Sequence, residues 1–261
     1  MIVNIWRYRA FIVRNAVSDL RYRYAGSALG VVWHVVNPLA QILIYTVVFS
    51  QLMTVRVPGL SGTASFALYV CAGLLPWVGF SECVLRGAGA FVENATYLKK
   101  LPIPEQVFVA QTAVSATLSL AISMTLLLLV ALFTGAPVWP AWVVVPLVLI
   151  LLQGFGFGLG LFFGTLNAFI RDVGQMLVIG LQFWMWATPI VYVVDILPAP
   201  LRDLVRFNPA YPFIDALHRA VLDGQWPDPA HWLTMIAWTL AATAASYWVL
   251  LRLRPEIRDV L

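Results

Sequence analysis

Few ionisable residues in this chain stand at spacings that could do chemistry. Glu82 and Arg86 are four apart in an otherwise apolar stretch, so on a helix their side chains can meet. An unpaired charge is costly in lipid, so the pair must face protein or a watery cavity. A structural ion pair and a pathway lining both satisfy that condition. Asp215, His218 and Arg219 fall within about one helical turn, which suits acid–base work, substrate contact or an interfacial polar face. His34, His218 and His231 are scattered and match no metal-ligand spacing such as HExxH, so neither a metal site nor a catalytic set is expected. A P-loop needs Gly-Lys-Ser/Thr, because backbone amides cradle phosphate while the lysine neutralises it. The only lysines, Lys99 and Lys100, follow no glycine. No cofactor is expected in this chain, and any ATP-driven step would need a partner that binds ATP and Mg.

The elements that hold these residues must be membrane helices. Of 261 residues, 61% are apolar and 11% charged, against roughly 45–50% and about 25% in ordinary globular domains. So few charges could not clothe a soluble surface, which excludes a soluble enzyme, a nucleic-acid binder and a disordered linker. Each span needs about 20 apolar residues, so six would use roughly 120 and leave room for loops. The fold class is therefore all-α integral membrane, in one domain over 1–261. Residues 1–30 read as an amphipathic interface helix whose apolar side includes Trp6, Phe11, Val13, Val17 and Leu20, with arginines at its margins near anionic headgroups. Six spans follow at 31–53, 66–92, 106–134, 141–168, 173–194 and 231–253, the first with Pro38 near its start. Arg56–Ser65 reads as a polar turn, Gly73 and Pro76 as interruptions of the second span, and Gly135–Pro140 as a tight turn. Residues 195–230 are too apolar for a plain loop and too interrupted to span, so short re-entrant or interfacial helices are expected there. Arg254–Leu261 is a short charged tail.

Orientation follows from the basic residues. With both termini cytoplasmic, the inner side holds Arg7, Arg9, Arg14, Arg21, Arg23, Lys99, Lys100, Arg171, Arg252, Arg254 and Arg258. The outer side holds only Arg56, Arg202, Arg206 and Arg219, as the positive-inside tendency requires. Gly154, Gly156, Gly158, Gly160 and Gly164 give overlapping small-residue spacings that let neighbouring helices approach closely. Cys71 and Cys83 are twelve apart in one span, about 18 Å on a helix, and read as packing residues. Among 11 Trp, 9 Tyr and 15 Phe, Trp77 and Phe80, and Phe183, Trp184 and Trp186, lie within spans near breaks. Such rings suit core packing, interfacial belts or a surface on which sugar rings slide.

Six segments in order resemble the polysaccharide-exporting ABC-transporter permeases of the O-antigen and teichoic-acid type. They are RYRYAGSALGVVWHVVNPLAQILIYTVVFS (21–50), AGLLPW (72–77), KKLPIPEQVF (99–108), GTLNAFIRDVGQ (164–175), FWMWATPIVY (183–192) and NPAYPFID (208–215). No one of them is decisive, but together they cover nearly the whole chain.

The resemblance implies a transport subunit rather than an enzyme: a homodimer with two copies of a separate nucleotide-binding subunit. It would sit in the bacterial inner membrane and move undecaprenyl-pyrophosphate-linked polysaccharide, O-antigen foremost, to the outer leaflet. Membrane lipids are implied partners and nucleic acid is not. Carried over by position, Asn94, Tyr97, Lys99, Lys100, Pro102 and Pro104 would dock on the ATPase, with Arg171 and Asp172 as a second contact. Arg21, Arg23 and Tyr24 would meet the lipid headgroup, since guanidinium pairs well with phosphate oxygens. Trp77, Glu82, Arg86, Phe183, Trp184, Trp186 and Tyr192 are pathway candidates. A small-molecule or lipid ABC exporter would share this topology, and a membrane-embedded glycolipid-assembly enzyme would act without ATP.

Overall fold

In the computed structural model, residues 1–52 and 63–261 are described, so most of the expected turn Arg56–Ser65, Arg56 included, lies outside the described residues. The chain is 83% helical, without strands among the described residues. Its helices are α1 (Ile2–Arg7), α2 (Arg9–Tyr22), α3 (Trp33–Leu52), α4 (Thr63–Glu93), α5 (Ala95–Lys100), α6 (Gln106–Phe133), α7 (Val145–Phe169), α8 (Asp172–Ala187), α9 (Ala199–Arg206), α10 (Tyr211–His218) and α11 (Pro229–Val260). Among the described residues, five helices are long and apolar enough to cross a membrane, over Gly30–Val48, Phe66–Glu93, Gln106–Phe133, Pro140–Phe169 and Pro229–Ile257. Helix is the only open structure that satisfies its own backbone in lipid. Hydroxyls within these spans do the same locally: Thr117, Thr165 and Thr239 each donate to the carbonyl four residues back.

Helix α7 is the centre of the packing, with α4 and α11 on either side. Its glycines divide between the two neighbours. A side chain on Gly156, Gly160 or Gly164 would strike Cys83, or the backbone of Gly87, on α4. One on Gly154 or Gly158 would strike Thr239, or the backbone of Ala242 and Thr243, on α11. The close approach expected from the glycine spacing therefore occurs on two faces of one helix. Cys71 and Cys83 are buried and free, as packing residues should be.

Several boundaries differ from the sequence expectation. Helix α4 runs through Gly73 and Pro76 without interruption, since a transmembrane helix tolerates a missing amide where neighbours pack around it. Gly73 instead makes room for a neighbour, because a Cβ there would meet the His218 ring at 2.8 Å. Helix α11 continues through Pro255 into the expected tail, where Ile257 is fully buried. Helix α8 has 16 residues, about 24 Å, and its helical conformation stops at Ala187 rather than reaching Val194. The path nevertheless covers a span's length. Asn167, whose side chain bonds the Ala88 carbonyl, caps the start of α8 at Gly174, and the Tyr192 carbonyl accepts from Tyr69. Tyr69 and Ala88 lie 19 residues apart on α4, about 28 Å.

The expected turn after the third span is a Schellman motif, with Gly135 at positive φ, its amide on the Leu132 carbonyl and the Ala136 amide on Ala131. Between α8 and α11, α9 and α10 form the expected short helices, and Phe213, Ile214 and Leu217 of α10 are buried against the core.

Placing Leu at Gly158 should overpack the α7–α11 contact and cost about 1–3 kcal/mol. The detergent-solubilised protein should then melt at a lower temperature by tryptophan fluorescence. Gly180→Ala is the control, because no atom lies within 4 Å of its Cβ position.

Candidate functional site

Charged residues of α2, of the turn after it and of α4 converge on one cluster. Arg86 Nη2 lies 2.7 Å from Asp19 Oδ2, and its Nη1 lies 3.3 Å from Glu82 Oε1. Arg23 Nη2 lies 2.6 Å from the same Glu82 oxygen and 3.6 Å from Asp19. The Ser115 hydroxyl donates to Asp19 at 2.5 Å and accepts from Arg86 at 3.2 Å. Two acids and two bases alternate, contributed by α2 and the turn after it, by α4, and by α6. The side chains are 23–28% exposed, so the group is shielded but not sealed. Burial raises the Asp19 carboxyl, but Ser115, Arg86 and Arg23 outweigh it and hold the group below its ordinary 3.8.

This cluster dictates how the amphipathic helix lies. Ile12 packs with Val107 and Ala110, Phe11 meets Phe108 edge-on at 6.4 Å, and Asp19 reaches Ser115. Helix α2 therefore runs alongside α6 over about 12 Å of that helix. Its protein-facing side is Ile12, Ala16 and Asp19, whereas Trp6, Phe11 and Val13 of the expected apolar face are exposed. The turn into α3 is clamped as well. His34 Nε2 donates to the Leu20 carbonyl at 2.8 Å, the Asn37 amide donates to the Tyr24 hydroxyl at 3.0 Å, and the Tyr24 ring meets His34 edge-on. Of the three expected headgroup contacts, Arg21 is exposed, Arg23 is held in the charged cluster, and Tyr24 belongs to this clamp. The i,i+4 spacing of Asp19 and Arg23 was a legible signal for half of the cluster. Ser115 carried none.

Below the cluster, α5 turns back under α4. The Asn94 side chain donates to the Ala90 carbonyl, and Leu98 is fully buried with Phe91, Phe108, Leu250 and Ile257. Tyr97, Lys99, Lys100 and Pro102 point outward, and Pro104 is half-buried. Glu105 follows, with no exposed surface, and pairs with Arg254 of α11 at 3.0 Å. That contact and Leu98 tie the segment to the last span. Arg171 and Asp172 are exposed at the start of α8, which Asn167 anchors to α4. Sequence reasoning missed Asn167 and Glu105, whose partners are distant in the chain.

The aromatic candidates separate into two kinds. Trp77 is 3% exposed and packs edge-on with Trp184, with Phe80 and Phe155 completing the cluster. Trp184 donates to Asn208, which in turn bonds Thr188 and the Ala210 amide. Phe183 and Trp186, at 73% and 59% exposure, stand on a face the chain leaves uncovered. Tyr192 is half-buried and donates to the Trp186 carbonyl. At the other end of α4, Asp215 pairs with Arg219 at 2.6 Å and His231 at 3.2 Å. Burial opposes its charge, but His231 and Arg219 hold its carboxyl below the ordinary range. His218 turns away from this group onto the Tyr69 carbonyl, and burial pushes its pKa down to about 4.

Known proteins resemble this chain over most of its length. The family model for ABC-2 type transporters matches residues 12–222. O-antigen export system permease proteins RfbA from Klebsiella pneumoniae and Myxococcus xanthus are each 29% identical, over 74% of this chain and 72% of theirs. The polysialic acid transport protein KpsM of Escherichia coli is 23% identical over 80% of both chains.

Asp19→Asn at neutral pH should loosen α2, raising hydrogen exchange of its amides about tenfold, as loss of one charge-assisted hydrogen bond implies. Because the folded carboxyl titrates below 3.8, its contribution is complete above that value. It is lost only as pH falls through the lowered one. Acid should therefore reproduce the variant's loosening below pH 3.8 and not above it.

Proposed function

The chain belongs to the ABC-2 type transporter family, and from that premise we propose that it is the membrane subunit of an ATP-driven polysaccharide exporter, with O-antigen its foremost cargo. The observation that carries this reading is its similarity, over three quarters of its length, to permeases named for O-antigen export. Two copies assemble with two nucleotide-binding subunits that hold ATP and Mg, in the bacterial inner membrane with both termini cytoplasmic. That orientation makes α8 and the segment after it the sixth crossing. The cargo is undecaprenyl-pyrophosphate-linked glycan, and of Arg21, Arg23 and Tyr24 it is Arg21, exposed at the end of α2, that meets its headgroup.

This chain performs no covalent step. ATP binding closes the partner subunits, which push on the outward side of α5 at Tyr97, Lys99, Lys100 and Pro102, and on Arg171–Asp172. Because Leu98 and Glu105 bind α5 to α11 as well as to α4 and α6, the push moves several spans together. Glu82 and Arg86 hold α2 to that moving unit through Asp19 and Arg23. Phe183 and Trp186 offer aromatic surface to a sliding glycan, with Trp77 and Trp184 behind them and Tyr192 at the end of the path.

Lys99→Glu together with Lys100→Glu should abolish most surface glycan while leaving the amount of inserted protein normal. Gel analysis of lipid-linked glycans should show the polymer accumulating inside, as it should on depletion of the protein. Normal export by the variant refutes the docking role. Unchanged surface and intracellular glycans on depletion, in a host without a second exporter, refute the cargo and leave a small-molecule or lipid exporter. Activity of the isolated chain without ATP would identify an assembly enzyme instead.

A further inference from the structure

A second polar site lies at the far end of α4 from the coupling segment. Tyr69 at its edge is 25 residues from Asn94, about 37 Å along the helix. There α9, α10 and the segment around Val194 enclose a cavity of about 440 Å³, within the range of about 300–1,000 Å³ typical of small-molecule sites. A smaller neighbouring cavity of about 290 Å³ shares Arg206, Tyr211 and Arg219 with it.

Its lining is unusual for this chain. Arg202, Arg206 and Arg219 face Asp195, Asp215 and Asp223, so a fifth of all the charged residues in an 11%-charged protein meet around one space. Only some of this charge is spent internally. Asp215 is held by Arg219, His231 and the Tyr211 hydroxyl. Among the described residues, Asp195 and Asp223 form no ion pair. Arg202 donates through Nη2 to the carbonyls of Asp195 and Leu197, while its Nε has no partner. The α10 wall is anchored, because His218 is held on the Tyr69 carbonyl and α10 is buried along one side.

The balance of three positive and three negative side chains selects the ligand. A free anion would meet carboxylates, a cation would meet guanidinium groups, and an apolar chain would strip water from both. A polyhydroxylated ring without net charge satisfies both sets, since each hydroxyl donates and accepts. We propose that this cavity is a saccharide-binding site that holds an uncharged sugar residue of the transported polymer at the exit end of the permease. The proposal rests on the export function given above. Asp223 and Gln225 at the rim and Arg202 in the wall supply its hydrogen bonds, while the Asp215–Arg219–His231 group maintains its shape.

Photo-crosslinking in the intact exporter tests this. Gln225 is exposed at the cavity rim, so p-benzoylphenylalanine can replace it, with Phe133, 88% exposed at the end of α6, as the control position. Irradiation of exporting cells should produce a ladder of glycan adducts at position 225 and none at 133. Asp223→Ala should lower the adduct yield about tenfold, as loss of a charged hydrogen bond implies. Surface glycan is followed in the same strain. If that glycan depends on this chain but no ladder forms at 225, or an equal one forms at 133, or Asp223→Ala has no effect, the sugar site is refuted while the export function stands. If surface glycan does not depend on this chain, the export function falls and the site falls with it.

Discussion

A charge in a low-dielectric interior must be matched, and that constraint organises the helices that meet around Arg86. Glu82 and Arg86 pair along α4, but a pair of helix neighbours alone would leave lone pairs and N–H groups facing lipid. Asp19 and Arg23 complete the alternation, and Ser115 takes the remaining bonds. Helix α2 is thereby held deep against α6, and the Tyr24–His34–Asn37 clamp then sets how the chain turns into α3. The cluster remains about a quarter exposed, which leaves it able to rearrange without first exchanging full solvation for none.

The second organising feature is the near contact of backbones around α7. With little hydrophobic driving force between helices in lipid, association depends on close packing and on hydrogen bonds. Glycines on two faces of α7 supply the packing, and Asn167 supplies a bond from its end to α4. The result is a closely packed trio with α7 between α4 and α11. Helix α5 is fastened to the adjoining ends of two of them and of α6 by Leu98 and Glu105. A force applied to α5 therefore reaches helices that extend to the opposite end of the molecule, where α10 is locked to α4 through His218 and Tyr69. The polar groups at the two ends of α4 are thus joined by packed helices.

The aromatic residues show how exposure divides work among similar side chains. Trp77 and Trp184 have the same ring as Trp186, yet the first two close the core while the third faces outward. Trp184 also organises Asn208, so the Asn-Pro step that follows α9 is anchored to the end of α8. The AGLLPW, FWMWATPIVY and NPAYPFID segments thus meet around one structure. Gly73 in the first of them makes room for His218, three residues beyond the last.

Composition and the placement of basic residues were enough to make this a polytopic all-α membrane protein, since a shortage of charge and the length of apolar runs are properties of the chain itself. The third and fourth spans, the Gly135 turn, the Glu82–Arg86 pair and the close packing at the α7 glycines were legible for the same reason: each depends on neighbours within a few turns. Tertiary structure alone decided which side of α2 faces protein, that Arg23 enters an ion cluster, and that Glu105 meets Arg254. It also decided that six charged residues surround the cavity beside α9 and α10. Those outcomes depend on residues far apart in the chain finding each other. Local periodicity records which residues share a helix face, but not which other helix that face will meet.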